Sequence, residues 1–133
     1  MANLTSDQAK QLSDNFYYLG MAIGDFRYEN WDKLSLEENK ELSETQNMLL
    51  QTGEDILAFS TTLIMDEAVD SLAKINSIAS EIQGTIKKLS NIQKGLNVAA
   101  AILILGVAIV NRDTKGIGDS IKGVYDTWKA PIR

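Results

Sequence analysis

The sequence predicts an all-α fold, an elongated antiparallel bundle of about four helices in which one long helix ends in an apolar segment. Two capping-box signatures open helical patterns at Thr5 and Ser35, and apolar residues recur at three- and four-residue steps along most of the chain. A single Pro and nine Gly leave few interruptions. At 133 residues, with 44% hydrophobic and 23% charged side chains, the chain is expected to be one helical domain with a substantial core. Within it, residues 1–62 read as an acidic helical hairpin. Residues 63–133 read as a long heptad helix, an apolar segment over 96–111 and a short amphipathic C-terminal helix.

Thr5 is the expected N-cap of a first helix from about Ser6 to Lys33, with Gln8 closing the box. Ala9, Leu12, Phe16, Leu19, Ile23 and Phe26 supply its apolar face. Six of the nine aromatic residues fall between Phe16 and Trp31, a clustering that reads as core packing with tyrosines at the rim, or as a docking face for a partner. A second helix starts at Ser35, with Glu38 three residues on and Glu37 and Glu38 at the positive end of the helix dipole. Leu42, Leu49, Ile56 and Leu63 repeat every seven residues, with Thr45, Thr52 and Phe59 between them. Its end is expected within 61–68, where Thr61 and Thr62 weaken the helix.

The third helix has the strongest pattern. Ala68, Leu72, Ile75, Ala79, Ile82, Ile86, Leu89, Gln93, Leu96, Ala100 and Leu103 step by four and three, with Gln93 as the polar break. Read as one helix from Asp66 to Asn111, it would be roughly 69 Å long. Leu72, Ile75, Ile82, Ile86 and Leu89 form the seam along which copies are expected to associate. Gly84, Gly95 and Gly106 recur at eleven residues and so fall near one face, as kink points or as a groove of close approach. A turn follows at Asn111–Asp119. Ile117, Ile121, Val124 and Trp128 then make one face of a short helix that Pro131 stops.

Composition narrows the chemistry. The chain has no Cys and no His, which removes thiol nucleophiles, disulfides and the commonest general base and metal ligand. Asp25, Glu29 and Asp32 read as a solvated face with no nucleophile or cofactor loop beside them. No enzymatic activity, catalytic residue, metal or cofactor is therefore expected. The N-terminus lacks a basic n-region and an apolar h-region, so synthesis in the cytoplasm without a signal peptide is expected. Net charge is −5 and unevenly placed: residues 1–62 carry eleven Asp and Glu against four Lys and Arg, whereas residues 82–133 carry eight Lys and Arg against three Asp. The acidic half, with no interleaving of aromatics and arginines, argues against nucleic acid as a partner.

Val98 to Val110 is a run of thirteen residues without a polar side chain. The run is short for a solitary span, since a bilayer core of about 30 Å asks for roughly 20 residues. Its apolarity on every side is nevertheless more than a four-helix bundle of this size is expected to cover. Lys87, Lys88 and Lys94 precede it and Arg112, Lys115, Lys122, Lys129 and Arg133 follow, where they would meet anionic head groups. The residues expected to insert are Leu96, Val98, Ala99, Ile102, Leu103, Ile104, Leu105, Val107, Ile109 and Val110. Lys94, Arg112, Lys115, Tyr125, Trp128 and Lys129 are expected at the interface.

The stretch Leu72–Ile117, a polar heptad helix leading into an Ala/Ile/Val-rich element, resembles the α-helical pore-forming toxins of the cytolysin A and haemolysin BL type. That resemblance implies a soluble bundle that hides a hydrophobic element, then rearranges and oligomerises so that helices line a pore. The partners it implies are a lipid membrane and further copies of the chain, with an activating protease or a masking protein as trigger. The competing expectation is a helical interaction or self-assembly module whose apolar segment forms an oligomer core. Small helical hairpins with a Trp-x-Gly turn are the nearest pattern of that kind, but the junction at Asn30–Ser35 reads NWDKLS, without the Gly.

Overall fold

The computed structural model describes residues 2–59, 62–65, 68–86, 89 and 91–130, and the protein is all-α. Among these residues there are five α-helices: α1 (Ser6–Glu29), α2 (Leu36–Ala58), α3 (Ala68–Thr85), α4 (Ile92–Val110) and α5 (Thr114–Lys129). Both capping boxes form. Thr5 accepts from the Gln8 amide while Gln8 returns a bond to the Thr5 amide, and Ser35 and Glu38 do the same. The apolar face read for the first helix is fully inside: Ala9, Leu12, Phe16, Leu19, Ile23 and Phe26 are all buried.

The expected end of the first helix at Lys33 is corrected. α1 stops at Glu29, and Trp31–Lys33 form a separate 3-10 turn. Asn30 makes that corner: its backbone amide and its buried side-chain amide both donate to the Phe26 carbonyl, and the side chain also reaches the Leu89 carbonyl at 3.4 Å. The second helix also ends early, at Ala58, so Phe59 leaves the expected seam and stands exposed. A two-residue antiparallel pairing, β1 (Ala2–Asn3) with β2 (Ile64–Met65), then clips the two ends together over buried Leu4 and Leu63.

The largest correction concerns the long third helix, which is two helices. α3 ends at Thr85, the Leu89 amide donates to the Ile86 carbonyl, and Asn91 opens α4 by accepting from the Lys94 amide at 2.9 Å. The expected start at Asp66, like the flanking Lys87 and Lys88 and the stop at Pro131, lies outside the described residues. The break has a packing reason. A continuous rod would carry its apolar half past the end of α1 and α2, about 36 Å long at most, where nothing could cover it. Folding back gives that half neighbours on three sides.

Successive helices run up and down, and around the bundle their order is α1, α2, α4, α5, α3 and back to α1. α2 and α4 therefore lie side by side and parallel, with α1 across from α4. Buried Leu72, Ile75, Ile82 and Ile86 and half-buried Leu89 face this shared core. In this state they are taken up inside one chain.

Candidate functional site

α4 is the centre of the site. Its 19 residues span about 28 Å, and among the described residues it is the one helix whose length and composition would let it cross a membrane. The fold covers most of it. Leu96, Val98, Ala99, Ile102, Leu105 and Ile109 are buried, and Leu103 and Val110 are half-buried. Ile104 remains 62% and Val107 50% exposed, and with Ala100 they form a narrow outward stripe at i, i+4 and i+7. Five helices thus cover more of this segment than a four-helix reading allowed, and what stays outside is a stripe rather than half a cylinder. The sequence pattern had put Ala100 and Leu103 on the buried seam. The break before Asn91 resets the helical phase, so the buried face of α4 is instead Gly95, Val98, Ile102, Leu105 and Ile109.

Two glycines explain how α4 fits so closely. A Cβ on Gly95 would lie 2.1 Å from Cζ of Phe26, and one on Gly106 would lie 2.8 Å from Cγ2 of Thr52 and 3.0 Å from Cε1 of Phe16. The phenyl rings of α1 therefore rest against the bare backbone of α4. Gly84 meets nothing within 4 Å, so the groove of close approach belongs to Gly95 and Gly106 alone of the three. The pairing was half-visible in the sequence: Phe16 and Phe26 stand ten residues apart, Gly95 and Gly106 eleven, in helices that run in opposite directions.

The residues expected at the interface divide between the two ends of the α4–α5 hairpin. Arg112 and Lys115 sit at the turn and are exposed. Arg112 has φ 58°, and the amides of Arg112 and Asp113 donate back to the carbonyls of Ile109 and Ala108, the arrangement that usually places Gly at this point. Holding a non-glycine residue there costs roughly 1 kcal/mol, while its charge lies favourably at the negative end of α4. Lys94 is at the other end, its ammonium 5.8 Å from the Trp128 ring centroid and donating to the Ala130 carbonyl.

In this folded state Tyr125 and Trp128 are engaged with α3. The Tyr125 hydroxyl donates to the Lys74 carbonyl, and the Trp128 indole donates to Glu81 Oε1 at 3.0 Å. Lys129 pairs with the same carboxylate. Glu81 was not singled out in the sequence, because nothing local marks a side chain that meets its partners only when α3 and α5 lie parallel. The Lys129 ammonium, and after it the Trp128 indole, bond to the charged carboxylate and hold Glu81 below its ordinary pKa of 4.5. A depressed folded pKa contributes stability in full above the unfolded value and loses it as pH falls through the folded one. Glu81→Gln is therefore expected to melt slightly below the parent at pH 7 and to converge with it as pH falls below 4.5 and through the folded pKa, in thermal melts across that range. The shift will be small, since the clasp is solvent-exposed.

The stripe has an acidic neighbour. Glu37, Glu38 and Glu41 of α2 share the wall of a cavity of about 470 Å³ with Leu96, Asn97 and Ala100 of α4. Compared with protein-family models, with curated proteins and with solved structures, the chain matches none.

Proposed function

We propose that this protein is a non-enzymatic membrane effector. In its soluble state the α4–α5 hairpin is folded against α1 and α2; once released, α4 enters lipid with α5 at the interface, and several copies together line a pore. The observation that carries this reading is the stripe Ala100, Ile104 and Val107: the outward face of α4 starts polar at exposed Gln93 and Asn97, but from Ala100 to Val107 it is as apolar as the buried faces, where a core helix of an ordinary soluble bundle keeps a polar side along its length. Lys94 and Arg112 at its ends and a length close to the bilayer core support it.

The carboxylates of Glu37, Glu38 and Glu41 beside Ala100 would be repelled by an anionic surface. Insertion therefore requires the hairpin to leave α2, by proteolysis, by assembly or by loss of a masking partner. The test is release of a dye from vesicles of mixed phosphatidylcholine and phosphatidylglycerol, with and without limited proteolysis. Ile104→Asp is expected to abolish leakage while changing folding stability by no more than about 0.5 kcal/mol, because the side chain is exposed. Undiminished leakage from this variant, or none from the parent under either condition, would rule the reading out.

The same stripe supports a second reading, a self-assembly module in which Ile104 and Val107 dock a further copy of the chain. It predicts a stable soluble oligomer that causes no leakage, and that Ile104→Asp dissociates into monomers.

A further inference from the structure

The α1–α2 corner holds a second exposed apolar feature, at the opposite end of the bundle from the α4–α5 turn. Tyr28, in the last turn of α1, is 78% exposed and Trp31, opening the 3-10 turn, is 50% exposed. Their ring centroids lie 6.4 Å apart at an interplanar angle of 53°, and the two side chains border a cavity of about 480 Å³. The pair is held in place. Arg27 lies over Trp31 with Cζ 4.9 Å from the ring centroid, and its Nε donates to Asn39 Oδ1 of α2 at 2.6 Å. Buried Asn30, between the two rings in sequence, is tied to the Phe26 and Leu89 carbonyls. Trp31 also borders a second cavity, of about 500 Å³, with Arg27, Leu36 and Lys40 in its wall.

An open wedge of two electron-rich rings beside a fixed guanidinium suits a ligand of definite chemistry. A quaternary ammonium cannot donate a hydrogen bond, so it gains from ring faces what a primary ammonium gains from water. A phosphate one short linker away would meet Arg27 and Lys40. Residues 27–40 carry four carboxylates against three cations, so the corner has no net attraction for an anionic surface and tolerates a zwitterion. We infer that the Tyr28–Trp31 wedge binds the trimethylammonium group of a choline phospholipid and docks this corner on the membrane surface. The inference rests on the membrane reading above for its biological sense, but it uses residues that play no part in masking or inserting α4.

The full chain, labelled with nitrogen-15, is titrated with phosphocholine and separately with phosphoethanolamine, following the indole N–H signals of its two tryptophans. Phosphocholine is expected to shift the Trp31 signal saturably and leave Trp128 in place, whereas phosphoethanolamine shifts neither. Tyr28→Ala should weaken binding about five-fold or more, and Trp31→Ala should abolish it. Should Trp31→Ala fail to fold, Tyr28→Ala at its exposed position still decides the matter. Flotation with phosphatidylcholine vesicles should show the same loss in Tyr28→Ala, with weaker binding to vesicles in which phosphatidylethanolamine replaces the choline lipid.

Equal responses to both ammonium compounds would overturn the inference, as would no response, binding unchanged in Tyr28→Ala, or a concentration-dependent dimer that Tyr28→Ala dissociates. Ile104→Asp separates the two proposals, since it should retain phosphocholine binding while losing leakage. Binding without leakage in the parent leaves the wedge standing and removes the pore; leakage without binding does the reverse.

Discussion

Replacing Phe26 with alanine is expected to lower the free energy of unfolding by about 3–5 kcal/mol, a large part of the 5–15 kcal/mol typical of a domain. The ring is fully buried and lies on the backbone of α4 at Gly95, so its removal leaves a void between two helices that neither can fill without moving. Urea titration at equilibrium measures the loss. A companion substitution makes the test sharper. Gly95→Ala alone gains up to about 1 kcal/mol of helix propensity but places a methyl 2.1 Å from Phe26 Cζ, and overpacking of this kind costs roughly 1–3 kcal/mol. It is expected to destabilise the parent. In the Phe26→Ala background the space is vacant, so the same change should stabilise. A sign that does not reverse would mean that Phe26 and Gly95 do not meet.

Joining α2 to α4 through a disulfide is expected to stop leakage. A Cβ on Gly106 lies 2.8 Å from Cγ2 and 3.5 Å from Oγ1 of Thr52, which brings the pair Thr52→Cys and Gly106→Cys within the reach of a disulfide. The chain has no cysteine of its own, so the bond is unambiguous. A disulfide of this loop length stabilises the closed state by roughly 2–4 kcal/mol. The oxidised protein should therefore leak at least about ten-fold less dye, and a reductant should restore the rate. Each single substitution serves as the control for packing at Gly106. Leakage that persists in the oxidised form would show that the hairpin need not leave α2.

Much of the fold was legible because it is local. The capping boxes at Thr5 and Ser35 depend on side chains three residues apart, and six of the eight buried residues of α1 follow from one periodicity. The errors share a cause. The heptad pattern from Ala68 to Leu103 was continuous on paper, with Gln93 its one blemish, and periodicity alone cannot distinguish one long helix from two shorter ones that fold back. Asn91 could have been recognised as an N-cap, yet only the absence of neighbours for a rod of about 69 Å makes the break necessary. The same local view placed Phe59 in a seam that ends at Ala58.

The candidate site was legible in part. The sequence marked Val98–Val110 of α4 as apolar on all sides, and that reading needs no tertiary information because it follows from thirteen consecutive side chains. It also marked the cluster of aromatics that ends in Tyr28 and Trp31. Which of those residues face outward was beyond it. Ile104 and Val107 are exposed, while Ile102 and Leu105 beside them are buried, because α1, α2 and α5 approach α4 from fixed directions. The approach of α1 rests on glycines at 95 and 106 meeting phenyl rings some 70 to 90 residues earlier in the chain. Composition and spacing thus determined helicity, the caps and the greasy character of α4. The tertiary structure decided the break at Thr85–Asn91, the Glu81 clasp and the identity of the exposed stripe, because each depends on contacts between segments far apart in sequence, which no local pattern records.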